Sequence, residues 1–551
     1  MRNNSFGIAR STRAGLGLWL AAVALLAGCE KPGNSDPAFR LNDEGIDPST
    51  YTVVSTDDED KKKQKTEKRE YLASALEAMF GTPDRPFVFR ETGLDLKKIW
   101  RASGPAGGMR PDAAAKQRDS LQATRTQRRK TLEDQQKTAQ EQDIATAKPQ
   151  ADLKAAQTKL AAAEKAKNAD EAATIKKEIA ALTLQLKPKK DADEAVAVTK
   201  GEIEDLSLVI DSSVVQQGLY RQHCVHCHGV TGDGAGPTAL FLFPYPRDYR
   251  QGIFKFKSTK RAEKPTLKDL HRILDDGIPD TAMPSFRLLK PDEREALVEY
   301  VKYLSIRGQA ETLLRSEALK EDELPEMSRS FLVSTALQIT VDAWNDAPNS
   351  VVEPRGALTA ASPRESLEPK MTPEKWHEAG KLLFLGEKTK CYTCHGTTGL
   401  GDGRNNKPFY DDWNKQKAVD YANFISAEAS NNKEATAKAL AIKNSWLLPL
   451  QQQYPRNFRL NRFRFGRRPL DVYRRLSEGI AGTEMQGFAG TLTDTEIWQL
   501  VDFVMALPYE PLGLPPGYKP SGAQPHGGAH GGHAANTPAA PHGEAKVGGG
   551  E

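Results

Sequence analysis

This sequence has a small net charge, few cysteines and few long apolar runs. Its 77 Lys and Arg nearly balance 73 Asp and Glu, which leaves a formal net charge of +4 on 551 residues. So small a charge on so long a chain gives no general basic field, and we expect no nucleic-acid partner. The 38% of hydrophobic residues and 27% of charged residues favour several folded units separated by polar segments over one compact enzyme.

An apolar run at residues 14–27 is too short to span a bilayer comfortably. It follows a basic start and leads through Gly28 into Cys29, which resembles the lipobox of bacterial lipoprotein precursors. An ordinary signal peptide or a membrane anchor is the alternative. The resemblance implies that residues 1–28 are removed as a lipoprotein signal peptide. Acylated Cys29 would then anchor the protein in the lipid bilayer on the periplasmic side of a bacterial membrane, inner or outer.

The other four cysteines form two Cys-x-x-Cys-His motifs. The motif residues are Cys224, Cys227 and His228 in the first, and Cys391, Cys394 and His395 in the second. One helical turn places two thiols and an imidazole together, as covalent attachment of haem and axial ligation of its iron require. We therefore predict two covalently bound haem c groups, with the four cysteines as attachment points.

A zinc site, a thioredoxin-like dithiol and structural disulfides explain the two motifs less well. A zinc ribbon places its two Cys pairs about 15 to 20 residues apart, whereas more than 160 residues separate these pairs. A redox dithiol accounts for one Cys-x-x-Cys motif, but not for a histidine directly after each of two.

The segments 205–307 and 371–507, which contain the two motifs, repeat each other in order. The matching stretches are 232–234 with 401–403, Pro246-Arg247 with Pro455-Arg456, 254–257 with 463–466, and 277–283 with 479–485. The second copy carries a longer insertion between its glycines and Pro455. Duplication of one ancestral domain is the simplest account.

Each repeat has a methionine at the same place, Met283 in the first and Met485 in the second. This recurrence sets them apart from Met505, which we expect to pack in the core. A thioether as the sixth iron ligand raises the potential and suits electron transfer, whereas an open position permits catalysis.

A glycine and an aromatic residue precede each Cys motif, Gly218 with Tyr220 and Gly380 with Phe384, and an amphipathic helix follows each methionine. We expect the glycines to allow a close crossing of helices. With these features each repeat resembles a class I cytochrome c domain, a small helical fold whose first and last helices cross beside the haem. The resemblance covers about 240 residues. It implies axial ligation by His228 with Met283 and by His395 with Met485. Gln486 stands after Met485 where the family commonly has proline.

Two cationic runs accompany the repeated Pro-Arg pairs. A guanidinium bonded to haem propionates, a docking patch for an acidic redox partner and a solvated loop face are three open interpretations. Arg247 and Arg456, each held in place by a preceding proline, are the candidates for propionate contact.

Residues 111–200 are rich in Ala, Lys, Glu and Gln, with helix breakers at Pro149 and Pro188. We expect two long helices paired as an antiparallel hairpin of coiled-coil type, serving as a spacer or arm. The predicted fold is therefore mainly α, with two class I cytochrome c-like domains and an N-terminal helical hairpin.

Composition divides the remainder of the chain. We expect a polar tether over residues 29–64, a small helical segment over 65–110, an ordered linker over 308–370 and a disordered tail rich in His, Gly and Pro over 508–551. Whether the histidines of that tail bind copper or zinc stays open.

The leading functional hypothesis is an electron carrier without substrate chemistry of its own. It would pass electrons between a quinol-oxidising complex and a terminal oxidase or other acceptor in a periplasmic respiratory chain. The alternatives are a haem enzyme such as a dihaem peroxidase, and a haem-bearing subunit of a larger membrane redox complex.

Overall fold

The computed structural model describes residues 39–42, 53–54, 56–108, 110–211, 216–320, 324–325, 327–354, 371–403, 408–445 and 447–510. Over these ranges the protein is helical, and β-type pairing is confined to isolated bridges. The mainly α fold predicted from the sequence is confirmed. Cys29, the proposed signal peptide and nearly all of the His-rich tail lie outside the described residues. No helix in the described part is long and apolar enough to cross a membrane.

The helices are numbered in chain order. They are α1 Glu59–Phe80, α2 Leu96–Ala102, α3 Pro111–Lys165, α4 Ala169–Gln185, α5 Lys187–Asp211, α6 Leu219–His223, α7 Val225–His228, α8 Leu267–Asp276, α9 Pro291–Lys320, α10 Arg329–Leu332, α11 Gln338–Asp346, α12 Pro373–Leu385, α13 Cys391–His395, α14 Asp412–Ala429, α15 Lys433–Ser445, α16 Pro469–Glu478 and α17 Asp494–Ala506.

The helical hairpin is present, but its turn lies elsewhere than the prolines suggest. Helix α3 continues through Pro149 to Lys165, and the chain reverses at residues 166–168 before α4 and α5 return along α3. A proline removes one helical hydrogen bond and crowds the preceding turn. Here the packing of α3 against α4 and α5, with alanine-rich flanks, outweighs that cost. Pro188 behaves as expected, because it lies in the first turn of α5 where proline is tolerated.

The hairpin is inserted into the sequence of the first haem-motif domain. Helices α2 and α6, on either side of it, both pack on α9. Across the base of the hairpin, Gln217 N–H donates to the Arg101 carbonyl at 3.0 Å and Gly218 N–H to the Ser103 carbonyl at 3.0 Å. Apolar side chains of α1 and α2 therefore share one core with the domain that contains Cys224. We call the unit built on this shared core domain 1.

Domain 2 contains the second motif and shows the predicted crossing of first and last helices. Helix α12 crosses α17 at Gly380, where an added Cβ would lie 2.3 Å from the Gln499 carbonyl oxygen. The rings of Phe384 and Phe503 are 5.3 Å apart beside this point. Glycine is therefore required for the close approach of the two helices.

Domain 1 uses its corresponding glycine differently from the expectation of a helix crossing. Gly218 has φ +64° and precedes α6, and an added Cβ would lie 1.8 Å from the Pro105 carbonyl oxygen. Tyr220 still meets Tyr300 of α9, with ring centroids 4.8 Å apart. The aromatic contact between first and last helices is thus kept, while the glycine serves the turn at the base of the hairpin.

The two domains contact each other through an aromatic stack and an ion pair. Phe256 stacks on Phe465, with centroids 6.2 Å apart and planes 21° apart. Next to them Arg272 donates two hydrogen bonds of 2.7 Å to the Asp471 carboxylate. Phe256 and Phe465 occupy equivalent positions of the repeat, whereas Arg272 and Asp471 do not.

Candidate haem-binding sites

Each Cys-x-x-Cys-His motif forms a single helical turn. Helix α7 follows Cys224, and α13 spans the second motif from Cys391 to His395. Among the described residues the four motif cysteines form no disulfide. Burial raises the pKa of the Cys224 thiol to about 12 and also raises that of Cys391. A reactive redox dithiol has a lowered thiol pKa, so these shifts give no support to that alternative.

Both motif histidines are oriented by a backbone carbonyl. His228 Nδ1 lies 3.1 Å from the Arg247 carbonyl oxygen, and His395 Nδ1 lies 3.1 Å from that of Arg456. Because a carbonyl only accepts, Nδ1 carries the proton and donates, and the Nε2 lone pair is available to a metal.

Burial lowers the pKa of both histidines to about 4, although the carbonyl bond acts in the opposite direction. Each ring is therefore neutral at pH 7, the state that ligates iron. An aromatic ring stacks on each imidazole: Tyr249 on His228 at 4.7 Å between centroids, and Phe458 on His395 at 4.4 Å. These two aromatics lie two residues after the matching arginines.

The two methionine loops have the same backbone pattern. Ile278 N–H donates to the Met283 carbonyl at 3.1 Å, and Ile480 N–H to the Met485 carbonyl at 2.9 Å. In each loop the threonine two residues before the methionine accepts from the methionine N–H. Met283 packs on the apolar cluster that contains Cys224, and Met485 packs on the one that Cys391 joins. The structure thus places each methionine in the same domain and cluster as its motif.

Arg247 and Arg456 each have a buried guanidinium nitrogen with no partner in the described part of the chain. The atom is Nη2 in both residues, and Nε of Arg464 is in the same condition. Leaving such donors unpaired is costly, and an anionic group would satisfy them with charge-assisted bonds. The carboxylates of haem c have this chemistry, so these residues fit the group that the motifs imply.

Two carboxylates that bind cationic side chains of the other domain were not identified from the sequence. Asp280 accepts from Arg456 at 2.6 Å, and Asp411 accepts from Lys255 at 2.6 Å. Burial, together with repulsion from Arg247, lowers the pKa of Lys255 to about 8. Both pairs join one domain to the other. Asp411 comes from the insertion of the second repeat, and no repeat pattern indicates its role.

Comparison with known proteins agrees with this architecture. Residues 217–305 and 377–508 match the cytochrome c family model. The chain therefore carries two cytochrome c domains, and such domains imply a redox protein with covalently bound haem c.

No curated protein matches the chain. Among solved structures, the chain is similar to one from the Kuenenia stuttgartiensis reducing HAO-like protein complex Kustc0457/Kustc0458. The identity is 25%, the match covers 52% of this chain and 93% of that chain, and the TM-score is 0.33.

Proposed function

We propose that this protein is a dihaem c-type cytochrome that transfers electrons. Its first haem would be attached to Cys224 and Cys227, and its second to Cys391 and Cys394. The axial ligands would be His228 with Met283 and His395 with Met485. When bound, haem c supplies one-electron chemistry at its iron.

The observation that carries this proposal is the match between the two sites. In each domain a carbonyl fixes the proton on Nδ1 of the motif histidine and leaves Nε2 for the iron. In each domain a Gly-Ile turn presents a methionine through the same hydrogen bonds. An enzyme with one closed and one open iron would need two different sites, whereas two equal sites suit a carrier.

The remaining side chains of each site orient the ligands and provide charge. Tyr249 and Phe458 cover the imidazole faces and limit rotation of the rings. Arg247 and Arg456 offer buried donors for propionates. A positive charge at this position favours ferrous over ferric haem, so its removal would lower the reduction potential. Both arginines would therefore set the potential as well as bind the propionates.

We infer the cellular setting from the sequence. Acylation of Cys29 would anchor the protein in a lipid bilayer on the periplasmic side. There it would pass electrons between a quinol-oxidising complex and a terminal acceptor, either alone or as a subunit of a membrane complex. The hairpin of α3, α4 and α5 would act as a spacer or arm in that assembly.

Alanine variants of the two methionines test the ligand assignment. Met283→Ala and Met485→Ala should each remove half of the far-red sulfur-to-iron band of the ferric holoprotein, and Met505→Ala should remove none. A band that survives both changes would contradict Met ligation. A wild-type haem that is high-spin and reacts rapidly with peroxide would instead favour the dihaem peroxidase.

A further inference from the structure

An arginine of domain 1 holds the methionine loop of domain 2. Arg261 donates from Nη1 to the Met485 carbonyl at 2.5 Å and from Nη2 to the Thr483 carbonyl at 2.8 Å. Its backbone N–H donates to the Glu478 carboxylate at 3.2 Å. Three bonds from one residue therefore reach both ends of the loop that carries Met485.

The Arg261 guanidinium lies directly beside Gly479 of the loop. An added Cβ at Gly479 would lie 2.6 Å from Arg261 Nη1 and 2.3 Å from the Met485 carbonyl oxygen. Gly479 has φ +70°, a conformation that side chains rarely adopt. Gly277 at the equivalent position has φ +66°, and an added Cβ there would lie 2.8 Å from the Met283 carbonyl oxygen. The turn itself therefore requires glycine, and the Arg261 guanidinium packs against it.

The methionine loop of domain 1 is held in turn by domain 2. Asp280, with φ +56°, lies three residues before Met283. Its carboxylate accepts from Arg456 at 2.6 Å and from Arg462 at 2.9 Å. In both directions, arginines of one domain bind the loop of the other.

The two loops differ in their own stiffness. Proline follows Met283 and restricts its backbone, whereas Gln486 follows Met485. In domain 2, Gln486 pairs with Gly479 in an isolated β-bridge. The two guanidinium bonds from Arg261 to the carbonyls of Thr483 and Met485 supply the missing restraint, since a planar guanidinium fixes both acceptors at once.

We propose that Arg261 is a positioning residue for Met485, so that packing of domain 1 sets the strength of iron ligation in domain 2. This rests on the proposed function, because Met485 must be the ligand. Loss of Arg261 would leave the haem attached and His395 in place. It would release Met485 more often and open the sixth position to other ligands.

The test uses a Met283→His background, in which the sulfur-to-iron band comes only from the second haem. In the full-length ferric protein, Arg261→Met should let imidazole displace Met485 at about tenfold lower concentration. Arg261→Lys, which keeps the charge and one donor position, should give a smaller shift. Lys268→Met removes a positive charge from an exposed position of α8 and should leave the titration unchanged.

Hydrogen exchange gives a readout that does not depend on the iron. Amides of residues 479–486 should exchange on the order of tenfold faster in Arg261→Met, with little change in the 277–284 loop. A sulfur band with unchanged imidazole affinity and unchanged exchange would overturn the positioning role while leaving Met485 as ligand. Absence of the band when Arg261 is intact would remove Met485 as ligand, and this inference with it.

Discussion

At the residue scale, the sequence identifies the residues proposed to attach and ligate haem but not the groups that orient them. The Cys-x-x-Cys-His spacing and the recurring Met283 and Met485 are local patterns, so they can be found without a fold. The carbonyls of Arg247 and Arg456 are not visible as patterns, because every residue has a carbonyl. Only the fold shows that these two accept from the motif histidines.

Replacement of Arg247 tests the role of its buried guanidinium. Arg247→Met keeps the backbone carbonyl that orients His228 but removes the unpaired Nη2 donor and a positive charge. Oxidised haem should then be favoured, and the potential of the first haem should fall by about 60 mV, the equivalent of a tenfold change in a one-electron equilibrium. Potentiometric titration measures this, with the exposed Arg287→Met as control. Equal shifts in both variants would argue against a specific contact.

At the scale of elements, the helices follow from hydrophobic periodicity, while their joints depend on tertiary packing. The hairpin was expected from composition, yet α3 passes through Pro149 and turns only after Lys165. Gly380 was expected at a helix crossing and lies there, whereas Gly218 lies in a turn against Pro105. A glycine in the sequence indicates a close contact but does not identify the neighbouring residue that makes it.

Substitution of Gly380 tests the crossing of α12 and α17. The added methyl of Gly380→Ala would lie 2.3 Å from the Gln499 carbonyl oxygen and 2.8 Å from Phe503 Cβ. The helices must separate, so we expect a loss of about 3 kcal/mol in the free energy of unfolding of domain 2. Denaturant unfolding followed at the second haem measures the loss. Gly490→Ala, with no atom within 4 Å of the new Cβ, is the control, and equal stability of the two variants would contradict the account.

At the scale of the whole molecule, the two domains are joined by contacts that repeat analysis only partly foresees. The match of 254–257 with 463–466 is visible in the sequence, but the stacking of Phe256 on Phe465 requires the domains to face each other. Asp411 enters from an insertion that has no counterpart in the first repeat. Pairing between domains is long-range, so its residues have no signature in local spacing.

The ion pair between Arg272 and Asp471 should make this pairing sensitive to acid. Burial alone raises the pKa of Asp471, but hydrogen bonds from Arg272 and Arg468 outweigh it and lower the pKa from 3.8 to about 2. Because the folded pKa is the lower one, the stabilisation is complete above pH 3.8 and is lost as the pH falls through about 2. This shift corresponds to about 2 kcal/mol of stability.

Asp471→Asn should remove that dependence and leave Arg272 only its more distant partner Asp276, whose carboxylate lies 3.6 Å from Nε. We expect a loss of about 2 kcal/mol at neutral pH, the size of the stabilisation that the pKa shift represents. Denaturant unfolding of both proteins at a series of pH values measures the free energy of unfolding. The difference between variant and wild type should shrink as the pH is lowered. The exposed Asp134→Asn in α3 serves as the comparison. A difference that is constant with pH would show that Asp471 does not titrate as proposed.

Two methionine-ligated haem c groups per chain are the central claim. The most direct measurement is near-infrared magnetic circular dichroism of the ferric wild-type protein, calibrated against its content of covalently bound haem. The account predicts two haems per chain, both low-spin, and a sulfur-to-iron band of full intensity for two. A sulfur-to-iron band with the intensity expected for one haem, together with a high-spin signal from the other haem, would contradict it.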